Sequence, residues 1–205
     1  MRRIVLAAGL VLGSLLAAAA SAQAPAPAKP RSGMPRAASA ESADGASVDS
    51  VIKALYESVS HGPDAEPDWK RMHDLFLQVG MLIPPKPARD DIFTVLDVDS
   101  YEERTKKWMT GAKAKGQPTS FYETEVSRKA DCFGNVCQVF STYASRHAPT
   151  DEKPFMRGIN SIQLVGDGKR WWVASVAWDT EREGNPIPAE YDAGAKVPDE
   201  YKKKN

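Results

Sequence analysis

The spacing of the apolar positions changes near the middle of the chain. On the N-terminal side of Gly116, apolar residues recur every three or four positions, which places them on one face of a helix. This pattern predicts three helices, and Ser100 with Glu103 forms a capping-box pattern at the start of the third. The predicted helices span residues 48–60, 67–77 and 100–114.

Strands are predicted on both sides of Gly116. Two short apolar runs precede it, and four longer runs follow it, joined in pairs by the turn signals Gly134-Asn135 and Asp167-Gly168. Because helices come first and strands follow, we predict an α+β fold, with three N-terminal helices packed on a curved antiparallel sheet in a single domain. The predicted strands are 81–83, 92–98, 120–132, 136–146, 155–165 and 170–179.

The turn signals also set the register of each hairpin, and the register decides which side chains share a face. A two-residue turn at Gly134-Asn135 puts Arg128 opposite Ser141, and one at Asp167-Gly168 puts Asn160 opposite Ser175. We assign this more apolar face to the interior. Its polar residues are the candidate pocket residues: Arg128, Ser141, Tyr143, Asn160 and Ser175.

These buried polar side chains need partners, so they either satisfy one another or meet a ligand. Arg128 in the interior would favour an anionic ligand through bidentate contacts. A β-bulge in either hairpin would move part of this set to the other face.

The opposite face of the sheet is also partly apolar, which predicts that it contacts something. We predict a homodimer through this face, with Arg157 and Trp178 directly paired across the strands and stacked. The alternative is a monomer whose C-terminal tail covers the face. The candidate dimer residues are Phe140, Arg157, Ile159, Trp172 and Trp178.

Residues 1–24 have the pattern of a cleavable signal peptide. Two Arg precede a long uncharged apolar run, and small residues then form an A-x-A pattern, which predicts cleavage after Ala22 or Ala24. A retained membrane anchor is the alternative. Residues 25–46 are rich in Ala, Pro and Ser and predict a disordered linker. The folded domain is then 47–183, followed by a flexible tail at 184–205.

Export changes the interpretation of the two cysteines. In the predicted hairpin Cys132 faces Cys137, and an oxidising compartment favours a disulfide between them. The chain has 27 basic and 27 acidic residues, and the predicted signal peptide removes two Arg. A nearly neutral mature chain predicts no nucleic-acid partner, and cleavage of the signal peptide predicts no stable membrane insertion afterwards. The three His are scattered along the chain and show no metal-ligand spacing, so we predict no metal site and no cofactor.

The order of elements and several short stretches resemble the nuclear-transport-factor-2-like superfamily. The resemblance is closest to exported bacterial members without an assigned function. It implies the cone-shaped fold also seen in polyketide cyclases, scytalone dehydratase and ketosteroid isomerase, with a pocket in the cone and frequent dimerisation through the sheet. The matching stretches are Asp68 to Phe76, Phe133 to Asn135, Val139 to Tyr143, Arg157 to Leu164 and Arg170 to Asp179.

The catalytic sets of those enzymes do not match this sequence, so the resemblance carries over fold and pocket location only. The leading hypothesis is a periplasmic or secreted protein that binds a small, partly apolar molecule. One alternative is an isomerase, dehydratase or cyclase that uses Tyr143 as acid and a carboxylate as base. The other is a homodimeric interaction protein without a ligand.

Overall fold

Three helices cover one face of a five-stranded sheet whose strand order is β1-β5-β4-β3-β2. The structure is a computed structural model that describes residues 42–86 and 92–192, and these residues lie in one compact unit. The helices are α1 (Val48–Val59), α2 (Trp69–Leu75) and α3 (Val98–Ala114). The strands are β1 (Phe76–Ile83), β2 (Tyr122–Phe133), β3 (Val136–Arg146), β4 (Met156–Gly166) and β5 (Trp171–Thr180). The predicted α+β class is confirmed.

The helices begin at side chains that accept a hydrogen bond from the first turn. Ser47 forms a capping box with Ser50 on α1, and Asp68 accepts from the Arg71 amide on α2. On α3 the cap is Asp97, which accepts from the Ser100 amide at 2.8 Å. The third helix therefore begins two residues before the predicted Ser100, because an Asp one turn earlier caps it.

Strand β1 makes the sheet mixed instead of antiparallel. It is longer than the predicted 81–83, and it pairs in parallel with β5, with Leu82 opposite Val176. The predicted strand at 92–98 is reduced to one bridge between Leu82 and Leu96, because α3 already begins at Val98.

The β2–β3 hairpin has the predicted two-residue turn, and Gly134 takes a positive φ of 56° there. Cys132 and Cys137 face each other at disulfide distance, with Cα atoms 4.1 Å apart. Farther from the turn, Val126 is the extra residue of a β-bulge: Ser127 pairs with Thr142, whereas Glu125 pairs with Tyr143. The bulge reverses the predicted faces of the residues before it.

The β4–β5 hairpin differs from the prediction in two ways. Gly166 pairs with Trp171, so the connection has four residues instead of two, and the Asp167 carboxylate accepts from two amides within it. A second irregularity in the register lies beside Leu164. Together they place Asn160 opposite Trp178 and Gln163 opposite Ser175. The predicted Asn160–Ser175 and Arg157–Trp178 pairings are therefore wrong.

The core lies between α1 and the inner face of the sheet. Ile52 and Val51 on α1 are fully buried, as are Val139, Ile162 and Val173 on three successive strands. Burying each such side chain stabilises the fold by about 1.5–3 kcal/mol before entropy costs. This packing holds α1 against the sheet and leaves space beside it under α2 and α3.

Both described chain ends pack on the domain. Residues 43–45 form a 3-10 helix, Gly45 is buried, and Asp44 makes a bidentate ion pair with Arg71. At the other end, the Tyr191 carbonyl accepts from the hydroxyls of Ser127 and Thr142. Residues 42–46 and 184–192, predicted as linker and tail, thus include residues that make specific contacts with the domain.

The predicted signal peptide, and the linker as far as residue 41, lie outside the described residues. No helix within residues 42–86 and 92–192 is long and apolar enough to cross a membrane.

Candidate ligand cavity

A cavity of about 460 Å³ lies between the three helices and the inner face of the sheet. Its volume falls within the range of small-molecule sites. All three helices and all five strands contribute residues to its wall. The lining residues that the argument uses are Tyr56, Trp69, Tyr101, Glu123, Tyr143, Asn160 and Trp178.

Aromatic rings make up much of the wall. Tyr101 lies edge-on to Trp69 and to Trp178, with ring centroids 6.2 Å apart in both pairs. Near a different part of the wall, the His147 ring stacks on Phe155 at 4.1 Å. Edge-to-face and stacked pairs hold rings in fixed orientations, so this wall is a preformed apolar surface.

A polar cluster lies at the sheet side of the cavity, centred on Glu123. The Glu123 carboxylate accepts from the Asn160 amide at 3.3 Å and from the Ser145 hydroxyl at 3.1 Å. Asn160 also donates to the Tyr56 hydroxyl at 3.2 Å, which lies 2.7 Å from the Ser141 hydroxyl. The cluster thus joins α1, β2, β3 and β4 through side chains.

Burial changes the acid–base behaviour of this cluster. Desolvation raises the pKa of Glu123 to about 7, although hydrogen bonds from Asn160 and Ser145 oppose the rise. Its side chain is half-buried and lines the cavity. A carboxyl group with this pKa is partly protonated near neutral pH, where an ordinary glutamate is almost fully ionised.

The tyrosines around Glu123 remain protonated. Desolvation, reinforced by the nearby Glu123 charge, raises the pKa of Tyr101 to about 12 and that of Tyr56 well above its usual range. Desolvation also raises the pKa of Tyr143 to about 12. The tyrosine hydroxyls are consequently neutral hydrogen-bond donors at physiological pH.

The five predicted pocket residues occupy four different environments. Tyr143 and Asn160 line the cavity, and Ser141 lies behind it in the polar cluster. Arg128 is instead held between Asp49 and Glu125, at 2.9 and 2.7 Å. Ser175 pairs with Gln163 beyond the β5 irregularity, so it is absent from the cavity wall. Whether Tyr143 and Asn160 bind a ligand stays a prediction.

The sequence did not indicate Glu123 as a pocket residue, because a hairpin without a bulge puts Glu123 on the face opposite to that of Arg128 and Ser141. The Val126 bulge turns Glu123 and Glu125 inward, where they pair with Ser145 and Tyr143. A bulge adds one residue without changing the apolar pattern on either side, so periodicity cannot locate it. The nearest signal in the sequence is the pair of glutamates in a strand next to the apolar β3.

The predicted dimer residues divide between the two faces. Trp178 lines the cavity, because the β4–β5 register turns it inward. Trp172 is buried beneath the Arg170 guanidinium, 3.9 Å from the ring centroid, and its indole donates to Asp167. On the outer face, the C-terminal segment 185–192 contacts Phe140 and Arg157 and lines a groove together with Ile159.

A ring contact, an ion pair and a shared groove place this segment against the outer face of the sheet. The Phe140 ring lies 5.6 Å from that of Tyr191, Arg157 forms an ion pair with Asp192, and Ile159 adjoins residues 185–188. The geometry corresponds to the alternative in which the tail covers the face. The homodimer stays an untested prediction.

Within the described residues, no group of three or more His, Cys, Asp or Glu side chains is arranged to hold a metal ion. The polar cluster around Glu123 contains amide and hydroxyl hydrogen-bond donors and one carboxyl group.

No protein-family model and no curated protein matches the chain. Among solved structures, it is similar to a nuclear-transport-factor-2-like protein of unknown function from Silicibacter pomeroyi, with 8% identity, 65% of this chain and 92% of that chain covered, and a TM-score of 0.41. A second such protein, from Shewanella baltica, has 12% identity, coverages of 64% and 91%, and a TM-score of 0.42.

A third similar structure is the beta subunit of benzoate 1,2-dioxygenase from Burkholderia mallei, with 12% identity, coverages of 71% and 97%, and a TM-score of 0.45. The neighbours of this chain among solved structures thus include members of the nuclear-transport-factor-2-like superfamily, the family that its sequence resembles.

Proposed function

We propose that this chain is an exported protein that binds a small, partly apolar molecule in the cavity between its helices and its sheet. The observation that carries the proposal is the cavity itself, which combines a fixed aromatic wall with one polar cluster at its sheet side. Small-molecule sites typically have this composition: mostly apolar walls and a few placed polar groups that orient the ligand.

Export rests on the sequence pattern of residues 1–24 and on the cysteine pair. Cys132 and Cys137 lie at disulfide distance in the β2–β3 hairpin. Disulfides persist in oxidising compartments such as the periplasm, so the pair supports the same location as the signal pattern.

Native mass spectrometry of the protein, purified from the periplasm of the bacterium that produces it, tests binding and export together. We expect a mass that begins after Ala22 or Ala24, lacks two hydrogens from the cysteines, and carries a bound small molecule. Val59→Phe narrows the cavity and should lose the adduct, whereas Val136→Phe, at an exposed position, should retain it. An unprocessed chain would contradict export, and an adduct unchanged in Val59→Phe would contradict binding in the cavity.

Glu123 favours a second candidate function, an isomerase, dehydratase or cyclase that transfers a proton. Its carboxylate faces the cavity, carries a pKa of about 7, and shares the wall with the neutral Tyr143 hydroxyl. In such a step Glu123 would take a proton from a carbon beside a carbonyl group, while a tyrosine hydroxyl donates a hydrogen bond to the developing oxyanion.

The exchange of α-protons of 2-tetralone with D₂O, followed by NMR, tests this candidate. We expect exchange above the buffer rate, half-maximal near pH 7 and lost in Glu123→Gln. Exchange that is equal in wild type and Glu123→Gln would exclude Glu123 as the base. The matched control Glu103→Gln, at an exposed position on α3, should leave the rate unchanged.

A further inference from the structure

The one carboxylate that lines the described part of the cavity bears on the charge of the ligand. Glu123 is the only Asp or Glu among the described residues that line it. Two donors, from Asn160 and Ser145, occupy part of the acceptor capacity of the carboxylate, which has about four lone-pair sites. The remaining capacity suits a ligand that donates hydrogen bonds.

Cationic groups are poorly placed to receive an anion. Arg128, which the sequence placed in the pocket, is held by Asp49 and Glu125. Arg104 is the only Lys or Arg among the described lining residues, and it is exposed on α3. An anionic group at the polar cluster would therefore be desolvated beside Glu123 without a buried cation to pair with it.

The aromatic wall is complementary to a positive charge. Trp69, Tyr101 and Trp178 lie in contact in the same cavity as Glu123. Ring faces attract cations through their quadrupole, by about 0.5–2 kcal/mol per contact, and the same rings accommodate a flat apolar body. A carboxylate and several rings in one cavity thus match an amine attached to a ring system.

We propose that the ligand of this cavity is an amphipathic amine, with a flat apolar body against the aromatic wall and a protonated amino group at Glu123. This inference rests on the proposed binding function and specifies its ligand class. It reverses the anionic preference that Arg128 suggested in the sequence.

Three probes of similar shape and different charge test the proposal: 1-naphthylmethylamine, 1-naphthylmethanol and 1-naphthoate, each titrated into the full-length protein by calorimetry at about pH 8. We expect the amine to bind at least about tenfold more tightly than the carboxylate, a difference of about 1.4 kcal/mol. Glu123→Gln should weaken amine binding about tenfold and change alcohol binding by less than about twofold. Glu103→Gln removes the same charge at an exposed position and should change neither.

The pH dependence provides a test that needs no variant. Amine affinity should fall between about pH 8 and pH 6 as Glu123 becomes protonated, whereas alcohol affinity should stay constant. The groups around Glu123 are Tyr56 from α1, Tyr101 and Arg104 from α3, Tyr143 from β3, and His61 and His147 from the connecting segments.

The outcomes separate the two proposals. If the alcohol binds but the carboxylate binds as tightly as the amine, the amine proposal is overturned and cavity binding stands. If the amine binds Glu123→Gln as tightly as wild type, Glu123 is not its partner and the proposal also fails. Binding of none of the three probes would overturn both proposals. If Glu123→Gln does not fold, the pH titration and the ranking of the three probes, both measured on the wild type, still test the amine proposal.

Discussion

At the scale of single residues, the chemistry of the cavity depends on the position of one carboxylate. Glu123 has a pKa of about 7 in the folded chain, against an ordinary value of 4.5, because burial desolvates it. The folded state therefore binds the proton more tightly than the unfolded state does. The stability that this provides is fully present below about pH 4.5 and is lost as the pH rises through about 7.

Glu123→Gln should consequently be more stable than wild type at about pH 8. A pKa shift of this size changes the contribution of Glu123 to the free energy of unfolding by an amount on the order of 3 kcal/mol between about pH 4.5 and about pH 8. Urea unfolding of both proteins at about pH 4.5, 6 and 8 measures the effect. The stability difference should be small at the lowest pH and grow towards the highest, and parallel pH profiles would show that Glu123 titrates normally.

Gly158 allows a close approach that the cavity wall requires. It pairs with Tyr143 on one side and with Thr180 on the other. A Cβ atom at this position would collide with the Asp179 carbonyl and with the Tyr143 hydroxyl. The absence of a side chain thus makes room for the Tyr143 ring on the inner face.

Gly158→Ala should destabilise the fold by about 1–3 kcal/mol, because the backbone or the Tyr143 ring must shift. Gly111→Ala is the matched control: its Cβ would meet open space within α3, and Ala in a helix is more favourable than Gly by about 0.5–1 kcal/mol. Thermal unfolding should therefore lower the Tm of the first variant and raise that of the second. Equal shifts in both would contradict the packing role of Gly158.

At the scale of elements, the β2–β3 hairpin combines a regular end and an irregular one. The Gly134 turn and the cysteine pair set the register near the turn, and the Val126 bulge resets it before the cavity. A bulge of this kind re-aims side chains without breaking the sheet. It is the feature that brings Glu123 to the inner face.

The cysteine pair should stabilise the hairpin only modestly, because it closes a short loop of sequence separation 5. The chain-entropy relation gives about 2 kcal/mol for so short a loop. We expect Cys132→Ala combined with Cys137→Ala to lower the free energy of unfolding by up to this amount, plus a small cavity cost at the buried Cys137. Reductant should shift wild type towards the variant and leave the variant unchanged; a reductant-insensitive wild type would indicate that no disulfide forms.

At the scale of the whole molecule, the C-terminal segment 185–192 decides what the outer face of the sheet offers. Its contacts are the ring contact of Tyr191 with Phe140, the hydrogen bonds to the Tyr191 carbonyl, and the Arg157–Asp192 ion pair. Removing the segment would expose apolar side chains on a sheet face, which favours association.

A chain that ends at Glu183 should therefore self-associate more strongly than the full-length protein. A chain that ends at Asp192 keeps the described segment and should behave like the full-length protein. Sedimentation velocity over a range of concentrations measures both. If the full-length protein and both shortened chains form a dimer with the same dissociation constant, the predicted homodimer uses another surface or forms with the segment in place.

Local patterns in the sequence were sufficient for the helices, for the Gly134-Asn135 turn with its facing cysteines, and for the α+β order of elements. Caps, helical periodicity and two-residue turns depend on residues a few positions apart, so the chain itself specifies them. The sequence alone also indicated that Tyr143 and Asn160 face inward. Both lie on the inner face because the register irregularities fall in the partner strands β2 and β5.

The cavity, in contrast, was decided by tertiary structure. The parallel pairing of β1 with β5, the Val126 bulge and the β4–β5 register depend on how whole strands fit the helices and one another. A shift of one residue moves every later side chain to the other face, and periodicity on either side of the shift looks the same. For this reason Glu123 and Trp178 entered the cavity and Ser175 did not. Arg128 kept its predicted position opposite Ser141, and its ion pairs with Asp49 and Glu125 hold it out of the cavity wall.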